Sequence, residues 1–260
     1  MKLTFLGTGS AMPTGDRMQT GLLLQTGGKA LVVDCGSGAL HSLARTSVGY
    51  AGADTVLLTH HHLDHVSDLM PLLKARWLDG ETELTVVGPP GTSDLVDGLL
   101  SVHEYMQDRV DLTLRDLEAG AGPYEVDGFD VAARETQHSM QCYAYRFTES
   151  GREGGPSIVF SGDTEADPGL VSFADGAAVL VHDCSFPDDV DVSNHPTPAS
   201  LGQALAEADV DLGRVYLTHF YPHSEGKHDE MLESIGERYD GDVRVATDGL
   251  TLDFVDHSRR

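Results

Sequence analysis

The chain has 260 residues, 40% of them hydrophobic, and carries 42 acidic against 17 basic side chains for a formal net charge of −25. Such a length and apolar share can bury a sizeable core, and the acidic residues are spread along a periodic sequence, which excludes a disordered acidic tail. No apolar run approaches the roughly 18 to 20 residues that cross a bilayer, and the start, "MKLTFLGTGS", lacks a signal-peptide core, so a cytoplasmic protein without membrane partners is expected. Along the chain, "KLTFLG", "GLLLQT" and "KALVVDCG" read as strands, "GALHSLART" as a helix and "DTVLLTH" as a further strand. The next segment, "VSDLMPLLKARWL", has the apolar spacing of one amphipathic helix. Strand "TELTVVG" and a helix over "TSDLVDGLLSVHEYM" lead into "VDLTLRDL", "YEVDGFDVAARETQH", "CYAYRFTE" and "SIVFSGD", mostly strands. The final part repeats the early rhythm: strand "AAVLVHDCS", helix "TPASLGQALAEA", strand "RVYLTHF", helix "DEMLESIGERY", then strands "VRVATDG" and "LTLDFV".

Gly-rich turns separate these pieces, but no linker or change of composition marks a boundary, so one domain over residues 1–260 is expected. Two strand-rich halves, each with helices, predict two sheets packed face to face with helices outside. The three cysteines, Cys35, Cys142 and Cys184, are scattered without CxxC spacing and read as buried free thiols.

Residues 59–65, "THHHLDH", concentrate four imidazoles and a carboxylate at a strand-to-helix turn. Setting Thr59 and His61 aside leaves His60-x-His62-x-Asp64-His65, a spacing that can direct the first two toward one point and the last two toward a neighbouring one. A two-metal site needs more ligands from later strand ends, and His138 in "ETQHSM", Asp163 in "FSGDT" and His219 in "YLTHF" each follow an apolar strand-like run. His61 reads as a side chain on the other face of the turn, and His223 and His228 as surface residues.

In their order, "THHHLDH", "TQH", "FSGDT" and "LTH" resemble the motifs of the metallo-β-lactamase-fold hydrolases, and the resemblance spans essentially the whole chain. It implies an α/β fold, the four-layer αββα sandwich of that family. It also implies two divalent metal ions, with zinc favoured over manganese or iron. His60, His62 and His138 would bind one ion and Asp64, His65 and His219 the second, with Asp163 bridging both. Ions about 3.5 to 4 Å apart can share one hydroxide, which Asp64 would orient as a catalytic residue. Asp34, in "VVDCGSG", resembles the family's early carboxylate, which supports a histidine ligand without binding metal.

Within the family, "FLGTGSAMPTGDRMQTG" and "DCGSG" resemble the ribonuclease Z and phosphodiesterase branch. "VHDCSF" is similar to that branch's His-Glu-Ala-Thr loop, with His182, Asp183 and Ser185 at three of its positions, and "NHPTPASLGQALAEA" to its His-Ser-Thr loop and following helix. The resemblance makes His195 a catalytic donor or general acid at the scissile phosphate, with Thr197 holding it, and places Thr197 and Ser139 among the substrate-binding residues. Two departures weigh against transfer RNA as substrate. No insertion can form the Gly/Pro-rich arm of the tRNA-processing enzymes, and between "YRFTESGREGGP" and "SIVFSGD" only Arg146 and Arg152 are cationic. The resulting expectation is a dinuclear metal-dependent phosphodiesterase acting on a small or flexible substrate. The alternatives are a ribonuclease Z-like tRNA 3′-endonuclease without its arm and a non-catalytic binding module on a hydrolase fold. The partner is a phosphodiester, small molecule or RNA, and a homodimer stays open.

The charge bears on solvent more than on partners. Only Lys2, Lys29, Lys74 and Lys227 represent lysine, and the composition resembles that of halophilic proteins, whose surroundings screen self-repulsion over about 3 Å at 1 M salt. Molar KCl is therefore expected to raise the unfolding temperature more than it does for a protein of ordinary charge. Thermal scans in dilute buffer and in molar KCl check this, and a flat response removes the halophilic reading.

Overall fold

The computed structural model describes residues 1–254; Val255, the last residue of the final expected strand, lies outside them, as does the end of the domain expected over 1–260. The first sheet is built from β1 (Lys2–Gly7), β2 (Gly21–Thr26), β3 (Lys29–Val33), β4 (Thr55–Leu57), β5 (Glu83–Gly88) and β6 (Asp111–Asp116). The second takes β7 (Tyr124–Val126), β8 (Phe129–Glu135), β9 (Tyr143–Glu149), β10 (Ile158–Phe160), β11 (Val179–Asp183), β12 (Val215–Thr218) and β13 (Val243–Val245). The last strand, β14 (Thr251–Asp253), returns to the first sheet and pairs antiparallel with β1. The orders are β14-β1-β2-β3-β4-β5-β6 and β13-β12-β11-β10-β9-β8-β7.

Successive side chains point to opposite faces, and burial of both faces explains why the central strands read as nearly continuous apolar runs. Leu22 and Leu24 on β2 face the core between the sheets, where they join Phe129, Phe147, Phe160 and Val181, while Leu23 faces the outer core. Outside the first sheet lie α1 (Ala39–Leu43), α2 (Leu63–Val66), α3 (Leu69–Asp79) and α4 (Thr92–Val102), and outside the second α5 (Pro168–Phe173), α6 (Pro198–Ala208) and α7 (His228–Gly236). The result is the αββα sandwich. No helix among the described residues is long and apolar enough to cross a membrane.

Three local expectations differ from what is found. The helix expected over "VSDLMPLLKARWL" is broken into α2 and α3, because the Asp68 carboxylate turns back to accept from the Gly38 and Leu40 amides at 2.8 and 3.0 Å. "YEVDGFDVAARETQH" is a hairpin: Asp127 and Gly128 both take positive φ, 46° and 84°, the signature of a two-residue turn between strands of right-handed twist. α5 was not expected from sequence; Pro168 opens it and Asp167 caps it by accepting from the Gly169 amide at 2.8 Å.

The parallel strands set up the site. Asp34 follows β3, His60 follows β4, Asp163 follows β10, Asp183 ends β11 and His219 follows β12, so carboxylates and imidazoles gather at one rim of the sandwich. Helix α2 is clamped there from below: the Cys35 amide donates to the His65 carbonyl at 2.7 Å and the Asp68 amide to the Cys35 carbonyl at 2.8 Å. Gly36 permits this approach, since a methyl on it would lie 2.0 Å from the Asp64 carbonyl oxygen. Gly36→Ala is accordingly expected to displace α2, costing about 1–3 kcal/mol and lowering bound metal. Denaturant unfolding and elemental analysis check it; wild-type stability with full metal content would contradict so tight a contact.

Candidate metal centre

The "THHHLDH" segment leaves β4 with His60 buried, places His62 at the helix N-cap in extended backbone, and puts Asp64 and His65 in the single turn of α2. A helical turn here brings both side chains inward beside the residues that precede it. His60 Nε2 and His62 Nδ1 lie 3.0 Å apart, and His62 Nδ1 lies 3.1 Å from His138 Nε2. Asp163 Oδ2 is 3.7 and 3.8 Å from the ring nitrogens of His60 and His138. On the other side Asp64 Oδ2 is 3.1 Å from His219 Nε2, and His65 Nε2 is 3.3 Å from the same nitrogen. Asp163 faces this group too, with Oδ1 3.3 Å from His65 and Oδ2 3.3 Å from His219. Two ligand groups thus form, His60–His62–His138–Asp163 and Asp64–His65–His219, each with donor atoms within 4.8 Å of one another.

The outer hydrogen bonds determine what those inner nitrogens offer. Asp34, buried and held at φ 59°, accepts from the Thr59 amide at 2.7 Å and hydroxyl at 2.8 Å and from His65 Nδ1 at 2.8 Å. The Thr59 oxygen, having donated to Asp34, accepts from His60 Nδ1 at 3.0 Å. His138 Nδ1 donates to the Asn194 carbonyl at 3.2 Å. His219 Nδ1 donates to Ser185 Oγ at 3.0 Å, whose proton goes to Asp183 Oδ1 at 2.5 Å. These partners occupy the outer nitrogen of four rings, so Nε2 of each faces the cluster and becomes a ligand atom once it carries no proton. Two bare lone pairs 3.0 Å apart repel, so a proton or a cation has to lie between such nitrogens. Donors about 2.0–2.1 Å from a zinc ion stand about 3.3 Å apart at tetrahedral corners, so the observed spacing and donor set fit a divalent metal.

Without metal, the cluster redistributes charge among its own groups. Burial pushes His60 well below the usual histidine range, helped by the neighbouring His65, and lowers His62 and His138. Burial would also lower His65, but Asp163 and Asp34 on either side hold it well above that range. Asp163, buried among His219, His65 and His60, is held far below the ordinary carboxylate range despite desolvation, and Asp64 is lowered by its hydrogen bond to His219.

Beside the cluster, His195 Nδ1 donates to Asp183 Oδ2 at 2.7 Å. Burial disfavours its charge, yet Asp183 raises its pKa to about 9. A ring nitrogen of His195 lies within 4.8 Å of donor atoms of Asp163 and His219. Thr197 is engaged elsewhere: its hydroxyl accepts from the Ser200 amide in a capping box that starts α6, so it fixes the loop bearing His195 through the helix. Ser139 follows His138 on the exposed rim. His61 turns from the cluster to Thr92 Oγ1 at 2.9 Å. His228 packs on Phe220, and His223 lies 5.4 Å from the Phe186 ring. Sequence reasoning passed over Thr59, Asn194, Phe186 and Tyr221. Thr59, set aside in the spacing of the histidines, joins Asp34 to His60 through its hydroxyl.

Comparison with known proteins identifies the family and the fold. A family model described as Anti-Pycsar protein Apyc1 matches residues 1–234. The chain belongs to the Apyc1 family of metallo-β-lactamase-fold hydrolases. This Apyc1-family member is 31% identical to a ribonuclease Z of Mycobacterium avium over 95% of this chain and 96% of that one. It superposes on the metallo-β-lactamase fold protein YhfI from Bacillus subtilis with a TM-score of 0.81 and 26% identity, covering 97% of this chain and 99% of the other. The human tRNase Z short form, ELAC1, shares the fold at a TM-score of 0.78 and 21% identity, over 98% of this chain and all (100%) of the other. The Apyc1-family chain is a metal-dependent hydrolase of the ribonuclease Z and phosphodiesterase-like branch.

Since His65 carries a proton in the metal-free state and must surrender it to offer Nε2 as a ligand, metal uptake at pH 7 is expected to release protons. Titration calorimetry of the metal-free protein in buffers of different ionisation enthalpy measures this. Asp34→Asn, which removes a charge holding that proton, should reduce the release and weaken metal binding roughly 10- to 100-fold. Proton uptake on metal binding would contradict the assignment.

Proposed function

We propose that this protein is a dinuclear phosphodiesterase acting on a small or flexible phosphodiester, with His60, His62 and His138 holding one ion, Asp64, His65 and His219 the other, and Asp163 shared. The observation that carries the reading is the pair of donor groups joined at Asp163. The all-nitrogen and oxygen donor set favours zinc, with manganese or iron next. Divalent ions held there would acidify water and stabilise negative charge developing on phosphoryl oxygens.

The chain's own groups do the rest. Asp64 engages His219 through Oδ2, which leaves its other oxygen to accept a proton from the attacking water and fix its direction toward phosphorus. His195, anchored through Nδ1 by Asp183, carries its second ring proton toward the leaving oxygen, and the pairing that raises its pKa keeps that proton in place at neutral pH. Ser139, on the rim beside His138, would contact the remainder of the substrate. A small substrate agrees with the sequence, which offers no arm and few cations for grip remote from the cut.

The 31% identity to a ribonuclease Z over nearly the full length of both chains favours a second reading, a tRNA 3′-endonuclease that manages without the arm. Steady-state kinetics at matched high salt separate the two, across cyclic nucleotides, aryl phosphodiesters and a precursor tRNA. The expected result is kcat/KM for a small diester at least equal to that for the tRNA. Asp64→Asn and His195→Ala should each lower kcat on the small diester by roughly 100-fold or more, with KM changing little. A preference for precursor tRNA of about a hundredfold would overturn the small-substrate reading.

A further inference from the structure

Tyr221 borders the metal centre beside His195 and His219. Its ring stands edge-on to His195 and His219, with centroids 5.8 and 5.9 Å away, and stacks on Phe186 at 4.4 Å and 24°. The backbone is pinned as well: the Tyr221 amide donates to the Ser185 carbonyl, and the Ser224 hydroxyl and amide donate to the Tyr221 carbonyl at 2.7 and 3.0 Å. Such a ring has little freedom to move.

The hydroxyl, by contrast, makes no hydrogen bond among the described residues. Tyr145 and Tyr124 instead donate to the Leu58 and Glu118 carbonyls at 2.8 and 3.1 Å. A rigidly held phenol beside His195 and His219, open to the cleft, is placed to donate to a group that enters it. Phosphoryl oxygens are the strongest acceptors that a phosphodiester brings to this place.

We propose that Tyr221 is a catalytic residue that donates its phenolic hydrogen bond to a non-bridging oxygen of the scissile phosphate, on the side of the cleft shared by His195 and His219. The inference rests on the phosphodiester reading and adds to it a neutral donor. A neutral donor suits that position, because it strengthens as charge accumulates on the phosphoryl oxygens without adding a cation that would compete with the metals for the carboxylates.

Tyr221→Phe tests this with the ring and its packing on Phe186 retained. For the metal-loaded enzyme on a small diester, kcat should fall roughly 10- to 100-fold with KM within about threefold of wild type. Elemental analysis should show unchanged metal content. Calorimetry with inorganic phosphate, which needs no turnover, should show binding weakened about fivefold or more. A kcat within twofold of wild type, or a loss that follows metal loss, overturns the assignment. If the wild-type protein hydrolyses no phosphodiester, the underlying reading fails and the inference falls with it. If the wild type is active and the variant matches it, only the role of Tyr221 fails.

Discussion

Five imidazoles and two carboxylates aimed into one small volume form an arrangement that opposes folding unless cations offset it. Inward lone pairs repel and the carboxylates lose their hydration, yet the outer hydrogen bonds hold each donor in place instead of letting it turn to water. Asp34 is central to this. Its two oxygens tie Thr59 and His65 together, and through Thr59 they reach His60, so one buried carboxylate orients ligands of both groups. Asp183 plays the corresponding part across the cleft, receiving Ser185, which holds His219, and His195. The two carboxylates lie at the ends of strands in different sheets, and for that reason the sandwich has to be correctly registered before the centre can exist.

Backbone geometry at the rim supports the same end. Asp34 and His219 both adopt left-handed backbone, with φ of 59° and 63°, a conformation that costs a non-glycine residue of order 1–3 kcal/mol. Each follows a parallel strand directly and bends the chain so that its side chain enters the cleft instead of continuing the pleat. Gly162, at φ 58°, does this ahead of Asp163, in a space where a methyl would meet the Tyr143 carbonyl oxygen at 2.9 Å.

What could be read from sequence was governed by pattern density. The central strands of both sheets are buried on two faces, so their apolar runs stood out, and the candidate ligands stood out because they follow such runs in a recognisable order. The break between α2 and α3 was not legible: both pieces keep helical spacing, and only the tertiary bonds from Gly38 and Leu40 to Asp68 separate them. The hairpin at Asp127–Gly128 did carry its signal, the Asp-Gly pair, but the alternation on either side masked it. Thr59 and Tyr221 were invisible for a different reason. A threonine at a strand end and a tyrosine in a loop are common, and their importance lies in what the fold sets beside them.

The closing strand has a consequence for how the molecule is made. β14 pairs with β1, so the first sheet, whose other strands come from residues 2–116, is not complete until residues 251–253 have been synthesised. The candidate donors are likewise divided: the first lie near residue 60 and the last is His219. During translation the early histidines emerge well before Asp163 and His219, and any ion they meet then is held by an incomplete set. A complete donor set therefore belongs to the folded chain, after long-range pairing has been established.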